Sequence, residues 1–126
     1  MADHGTFYWN ELTTSKVEPA KKFYEKTLGW TFEGMPMPTG GTYWIAKAGE
    51  KMAGGIFDTT GTDMASMPEF WMPYIAVDDV DARVAKAKKA GATIVREPFD
   101  VPGIGRIAIL QQPGGGGIGW MTPVPM

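Results

Sequence analysis

The stretch FWMPYIAVDDVDA, residues 70–82, decides the fold. Its first eight residues are apolar or aromatic apart from one proline and read as a strand. Asp78 or Asp79 then stands where a helix needs a side chain to satisfy its first N–H groups. Val80, Val84, Ala87 and Ala90 or Gly91 follow on one helical face. The same order occurs earlier in the chain. Residues 7–14 read as a strand, Ser15 as a cap, and about residues 17–28 as a helix. Val17, Ala20, Tyr24 and Leu28 give that helix its apolar face, leaving Lys21, Lys22 and Glu25 for water. Gly29 falls where a helix end wants positive φ.

At an offset of 62 residues the chain repeats Trp9 at Trp71, Ala20 at Ala82, Lys26 at Lys88 and Gly29 at Gly91. The series continues in order through Thr31/Thr93, Pro36/Pro98, Gly41/Gly103, Ile45/Ile107 and Ala46/Ala108 to Gly54/Gly116, Gly55/Gly117, Ile56/Ile118 and Thr60/Thr122. This is the mark of a duplication. The helix starts match better at 63 (Val17/Val80), so the second helix should be one residue shorter. Three strand-like runs follow each helix, at 30–34, 42–48 and 53–58, then at 93–98, 106–111 and 118–122. Gly-Gly, Gly49-Glu50-Lys51, Pro102-Gly103 and the Pro113 glycine run mark the turns. Each half is therefore βαβββ. The expected fold class is α+β: two βαβββ modules in tandem, 6–62 and 69–124, within one domain, 1–126. The segment 59–68 links them. Half a chain of this size would be marginal alone, so the halves should pair.

Composition limits the function. Charged residues make up 21% of the 126 and the net charge is −2, which argues against nucleic acid. There is no cysteine, hence no thiolate nucleophile and no Cys-zinc site. No apolar run approaches the roughly 20 residues of a membrane span. The opening Met1-Ala2-Asp3-His4-Gly5-Thr6 has no signal-peptide character, so a cytoplasmic location is expected.

Two βαβββ modules, a Phe23-Tyr24…Leu28-Gly29-Trp30 helix exit and a Val77-Asp78-Asp79-Val80-Asp81-Ala82 helix entry resemble the vicinal-oxygen-chelate superfamily of glyoxalases, bleomycin-resistance proteins and extradiol dioxygenases. The resemblance spans nearly the whole chain. It implies two modules curled into a curved-sheet cleft, a homodimer, and a small-molecule ligand. The family's metal enzymes hold their ion with His or Glu on the first and last strands of each module. Carried over by helix entries and glycine turns, those positions fall on Trp9, Phe57, Met72 and Gly119. None offers an oxygen or an imidazole, and sliding the register by one gives Asn10 or Asp58 at best. No metal or other cofactor is therefore expected.

The positions suggest instead an aromatic-lined cleft with an opening at Gly119. Glu11 and Tyr74 are added by strand alternation, and Trp120 beside Gly119. Such a lining suits a flat or amphipathic ligand, as in the family's drug-sequestering members, whose aromatic grooves hold no metal. The competing reading makes these aromatics plain core. Glu11 in an apolar cleft would be an acid/base candidate, its carboxyl raised by desolvation, or else a structural carboxylate. Arg106 could grip an anionic ligand group, or simply be solvated.

The leading expectation is thus a metal-free binder of a small aromatic or amphipathic molecule. The alternative is a glyoxalase-like lyase, epimerase or dioxygenase using an unrecognised metal site or Glu11. A third is an interaction module presenting Trp and Met to a protein. Gly114, Gly116 and Gly119 formally fit a dinucleotide fingerprint, but no helix follows to meet phosphate, so a hairpin connection is expected. With Met1 removed, Ala2-Asp3-His4 would offer an adventitious square-planar Cu(II) or Ni(II) site.

Overall fold

The computed structural model describes residues 3–37, 40–62, 64–101 and 104–124. The elements run β1 (Thr6–Thr14), α1 (Val17–Leu28), β2 (Thr31–Pro36), β3 (Thr42–Ala48), β4 (Lys51–Asp58), β5 (Phe70–Ala76), α2 (Val80–Lys89), β6 (Thr93–Val101), β7 (Gly105–Gln111) and β8 (Gly117–Pro123). This is βαβββ twice over. The chain divides into two compact units, one of Asn10–Trp71 and one of Met1–Trp9 with Met72–Met126. The second unit therefore borrows the opening residues of the chain, which the sequence assigns to the first module.

In the Asn10–Trp71 unit the strand order is β2-β3-β4-β1, with β1 parallel to β4 and the other neighbours antiparallel. Helix α1 covers one face because Val17 sits against Leu12 and Ile56, the last fully buried, with Tyr24, Phe32 and Trp44 packed around them. The expected Ser15 cap is not used. Lys16 is the N-cap and makes no side-chain bond, while the Thr14 hydroxyl accepts the Lys16 N–H at 2.9 Å and donates to Glu69 at 2.6 Å. The threonine, buried one residue earlier, fixes the turn and leaves Ser15 exposed. Gly29 behaves as read, with φ of 72° and its N–H on the Glu25 carbonyl at 3.1 Å. Lys21 departs from its expected wet position. Its ammonium lies 3.3 Å from the centroid of the Trp44 ring, a cation–π contact that seals the rim of the core.

In the other unit the order is β5-β8-β7-β6, with β5 parallel to β8. Asp79, not Asp78, caps α2, accepting the Ala82 N–H at 3.1 Å. The helix has 10 residues against 12 in α1, so it is shorter by two where the offset predicts one. Val80, Val84 and Ala87 are buried, whereas Ala90 and Gly91 are exposed and form the helix exit. The Thr122 hydroxyl accepts the Val80 N–H at 3.1 Å and donates to the Val77 carbonyl at 3.0 Å, tying β8 to the start of α2. Trp120 and Ile75 pack with Val77, Val80, Val84 and Ala108 beneath the helix.

The glycine run is a hairpin connection. Gln112 N–H bonds to Gly116 O at 2.9 Å and Gly115 N–H to Gln112 O at 2.8 Å, and a strand follows. The Pro102-Gly103 turn lies outside the described residues, as does Ala2 of the Ala2-Asp3-His4 motif. No helix among the described residues is long and apolar enough to cross a membrane.

Candidate functional site

Helices cover one face of each unit's sheet, and the opposite face carries most of the residues singled out from sequence. Strand pairing fixes what stands beside what. In the Asn10–Trp71 unit, Glu33, Ile45, Gly55 and Glu11 form one row across β2, β3, β4 and β1. Their side chains point away from α1, since the neighbouring row of Leu12, Ile56 and Trp44 points toward it. Two residues along, Met35 pairs with Tyr43 and Thr13 with Phe57 on the same face. Alternation along β1 gives Trp9 the parity of Glu11. Lys47 closes this face toward the edge, its ammonium 2.8 Å from Glu33, whose carboxyl that bond and charge hold below the ordinary range.

In the second unit the equivalent rows are Tyr74, Gly119, Ile109 and Arg96, then Ala76, Met121, Ile107 and Phe99. Met72, Tyr74 and Met121 are all buried. The Arg96 guanidinium lies 4.3 Å from the Phe99 ring centroid, adding a cation–π contact to this face.

Two site assignments are corrected by this alternation. Trp120 lies under α2, on the opposite side of β8 from Gly119, so it belongs to the helix-side core. Arg106 shares the helix-side parity of Ala108, and its guanidinium is already engaged. It donates to Asp81 at 2.7 and 3.1 Å and to Asp100 at 3.1 Å. Nor is Gly119 an opening. A Cβ there would lie 2.5 Å from Cδ2 and Cε2 of Tyr74, so the tyrosine ring already occupies that volume.

The register also moves the equivalence between halves. Glu11 pairs with Gly55 as Tyr74 pairs with Gly119, which sets the last strands at an offset of 64 where the identities suggest 62. Gly55 is thus the counterpart of Gly119, and Phe57 that of Met121. Sequence reading missed Tyr43 and Met121; the signal available was the strand glycine, which marks close approach of another group. A Cβ built at Gly55 would fall on the Tyr43 hydroxyl.

The donor chemistry does not fit the family's divalent ion. With the register corrected, the ligand positions hold indole, phenyl and thioether groups or no side chain. Among the described residues no three His, Asp or Glu side chains gather as a metal site. His4 is used elsewhere, its Nδ1 accepting the Asp78 N–H at 3.0 Å.

Two surface hollows of the Asn10–Trp71 unit flank α1 instead. One, of about 600 Å³, lies at the helix start against Lys16, Pro19, Thr42 and Trp44. The other, of about 430 Å³, lies against Phe23, Tyr24 and Trp71. There Tyr24 stacks on Trp30 at 4.9 Å and accepts the Trp71 indole N–H at 3.0 Å. Trp71, the repeat partner of Trp9 by identity, therefore does a different job.

The charged surface makes a testable contribution to stability. The Arg83 guanidinium donates to Asp78 at 2.9 and 3.0 Å, and Arg106 grips Asp81 likewise. Those hydrogen bonds hold the Asp78 carboxyl well below the ordinary carboxylate range and lower that of Asp81. A carboxyl lowered on folding contributes stability above its unfolded pKa, near 3.8 here, and loses it as pH falls through the folded value. Urea midpoints should drop between pH 6 and pH 2.5, and drop less in an Arg83→Met/Arg106→Met double variant. Equal drops in both proteins would contradict the assignment.

Comparison with known proteins agrees with the architecture. Residues 6–119 match the family model described as the Glyoxalase/Bleomycin resistance protein/Dioxygenase superfamily. CFP32 of Mycobacterium tuberculosis, provisionally named a glyoxylase, is 40% identical over 121 residues, covering 96% of this chain and 45% of its own length. The anthracycline biosynthesis protein DnrV of Streptomyces peucetius is 30% identical over 118 residues, covering 85% of this chain and 43% of its own. The chain thus spans less than half the length of these relatives. Among solved structures, a methylmalonyl-CoA epimerase variant from Streptomyces coelicolor superposes with a TM-score of 0.71 at 16% identity, over 98% of this chain and 100% of that one. The methylmalonyl-CoA epimerase of Mycobacterium tuberculosis gives 0.67 at 16%, over 99% and 93%. These likenesses establish the fold: α+β, with tandem βαβββ modules. On the match of nearly its whole length, the chain belongs to the glyoxalase/bleomycin resistance protein/dioxygenase superfamily.

Proposed function

We propose that the chain binds a small aromatic or amphipathic molecule on its helix-free sheet faces, without the divalent ion of the family's metal enzymes. The observation that carries this reading is the replacement of every family ligand position by an apolar group or a glycine, in either register. In the Asn10–Trp71 unit Phe57 supplies stacking area on the face that carries the Glu11 carboxylate, and in the other unit Trp9, Met72 and Tyr74 supply stacking area and polarizable contact. A relative named for anthracycline biosynthesis is in keeping with a flat aromatic ligand.

Calorimetric titration with a panel of aromatic metabolites and antibiotics tests it. At least one compound should bind saturably, and Trp9→Ala should weaken it at least about tenfold, the loss expected for a stacked aromatic contact. Metal analysis of untagged protein runs alongside. One tightly held Zn, Ni, Mn or Fe per chain, or silence across the panel, would overturn the reading.

A further inference from the structure

We propose that the hollow between α1 and residues 69–71 is a second binding site, one that takes a free aromatic amino acid as its zwitterion. It lies on the helix side of the sheet, so it is separate from the helix-free faces and from any ligand held there.

The hollow has two unlike ends. Along the helix its lining falls at turn spacing, from the N-cap Lys16 through Ala20 to Phe23 and Tyr24. That strip is roughly 12 Å long at 1.5 Å per residue. Glu69 and Trp71 stand opposite. Thr14 gathers the charged end, since its hydroxyl accepts the Lys16 N–H at 2.9 Å and donates to the Glu69 carboxylate at 2.6 Å. The other end is aromatic. There the Trp71 indole N–H donates to the Tyr24 hydroxyl at 3.0 Å, and Phe23 meets Tyr24 edge to face at 5.0 Å. Buried Leu12 and the small, half-buried Ala20 form the floor.

The two charges are not spent on each other. Among the described residues neither Lys16 nor Glu69 makes an ion pair, and the Glu69 contact is the neutral Thr14 hydroxyl. A simple anion drawn to Lys16 would have Glu69 against it, and a simple cation would meet the reverse. A molecule with both charges on neighbouring atoms satisfies both, its carboxylate accepting from Lys16 and its ammonium donating to Glu69. A free α-amino acid carries that pair on one carbon, whereas a residue inside a peptide carries neither charge. The aromatic end selects the side chain by stacking area, and about 430 Å³ suits a molecule of that size.

Calorimetry with L-tryptophan, tryptamine and indole-3-propionate separates the two charges from the ring. The wild-type chain should bind L-tryptophan at least about fivefold more tightly than either analogue, the upper part of the range for exposed charge pairs. Lys16→Met should cut the advantage over tryptamine to about twofold or less. Glu69→Gln should do the same to the advantage over indole-3-propionate, while its amide oxygen still accepts from Thr14. Phe23→Ala should weaken all three indoles at least about fivefold. Phe23 is 58% exposed, so its truncation spares the core. Thermal unfolding midpoints within a few degrees of wild type establish that the variants are folded. Equal binding of the three indoles, or an advantage that survives both charge variants, overturns the zwitterion. A Phe23→Ala protein that binds them as wild type does places them elsewhere and overturns the hollow, as does failure of all three to bind.

Discussion

Gly105→Ala should lower the unfolding free energy by about 3 kcal/mol, the sum of a backbone and a steric penalty. Gly105 opens β7 and is buried, with a φ of +154° that L side chains rarely adopt. An added Cβ would fall on the Thr122 carbonyl oxygen and lie 3.0 Å from Pro123 Cα. Both are backbone, so neither can swing aside. Relief requires β7 to part from β8 at the Gly105–Pro123 pair. That pair adjoins Thr122, which ties β8 to α2, and Arg106, which ties β7 to Asp81. A loss here should therefore spread to the helix entry. Urea unfolding followed by far-UV circular dichroism measures it. Gly114→Ala is the control, since nothing lies within 4 Å of its Cβ and no positive φ is involved. It should cost under about 0.5 kcal/mol. A Gly105→Ala protein as stable as that control would refute the account.

How much of this was legible beforehand follows from which physics each feature depends on. Helix α1 was read to its ends, because its apolar spacing and the glycine after Leu28 are local signals. The cap differs from the expectation for a non-local reason. Ser15 has the right chemistry, but Thr14 is held by Glu69, far along the chain, and it takes the Lys16 N–H first. Identities at a fixed offset revealed the duplication, yet they could not place the last strands. Ile45 and Gly55 pair across ten residues, as do Ile109 and Gly119, so the turns leave that pairing alike. The slide enters along β6, where Arg96 pairs with Ile109 across thirteen residues against twelve for Glu33 and Ile45, and the register shifts on either side of Arg96. Because side chains alternate with period two, a shift of two residues keeps the face and changes the neighbour. Phe57 therefore stayed on the helix-free face while its counterpart became Met121. A shift of one flips the face. Trp120, taken as a neighbour of Gly119, went under α2 for that reason. Arg106 was misjudged because its partners Asp81 and Asp100 come from α2 and β6, a convergence no spacing rule announces.

The same register makes the second large effect calculable. Gly119→Ala should cost about 2–3 kcal/mol, the upper part of the range for overfilling a packed site. The new methyl would stand 2.5 Å from Cδ2 and Cε2 of Tyr74 and 3.0 Å from Cγ. Tyr74 is 4% exposed, so its ring cannot swing into solvent. Either the ring leaves its rotamer well or β5 and β8 separate at the Tyr74–Gly119 pair. The cause is isolated by a double-mutant cycle. Tyr74→Leu removes the ring atoms the methyl meets, so the double variant should lose at least about 1 kcal/mol less than the sum of the single losses. Gly117→Ala, two residues earlier on β8 with nothing within 4 Å of its Cβ, should stay within about 0.5 kcal/mol of wild type. Additive losses in the cycle would mean that the strain lies in the backbone of β8 and not against the ring. The apolar character of the Gly119 position would then owe nothing to Tyr74. A positive coupling would show instead that one half of the duplication fills its last-strand glycine with a tyrosine ring, as the other half covers Gly55 with the Tyr43 hydroxyl. The two halves would then have converged on the same device with tyrosines from different strands, β3 in one and β5 in the other.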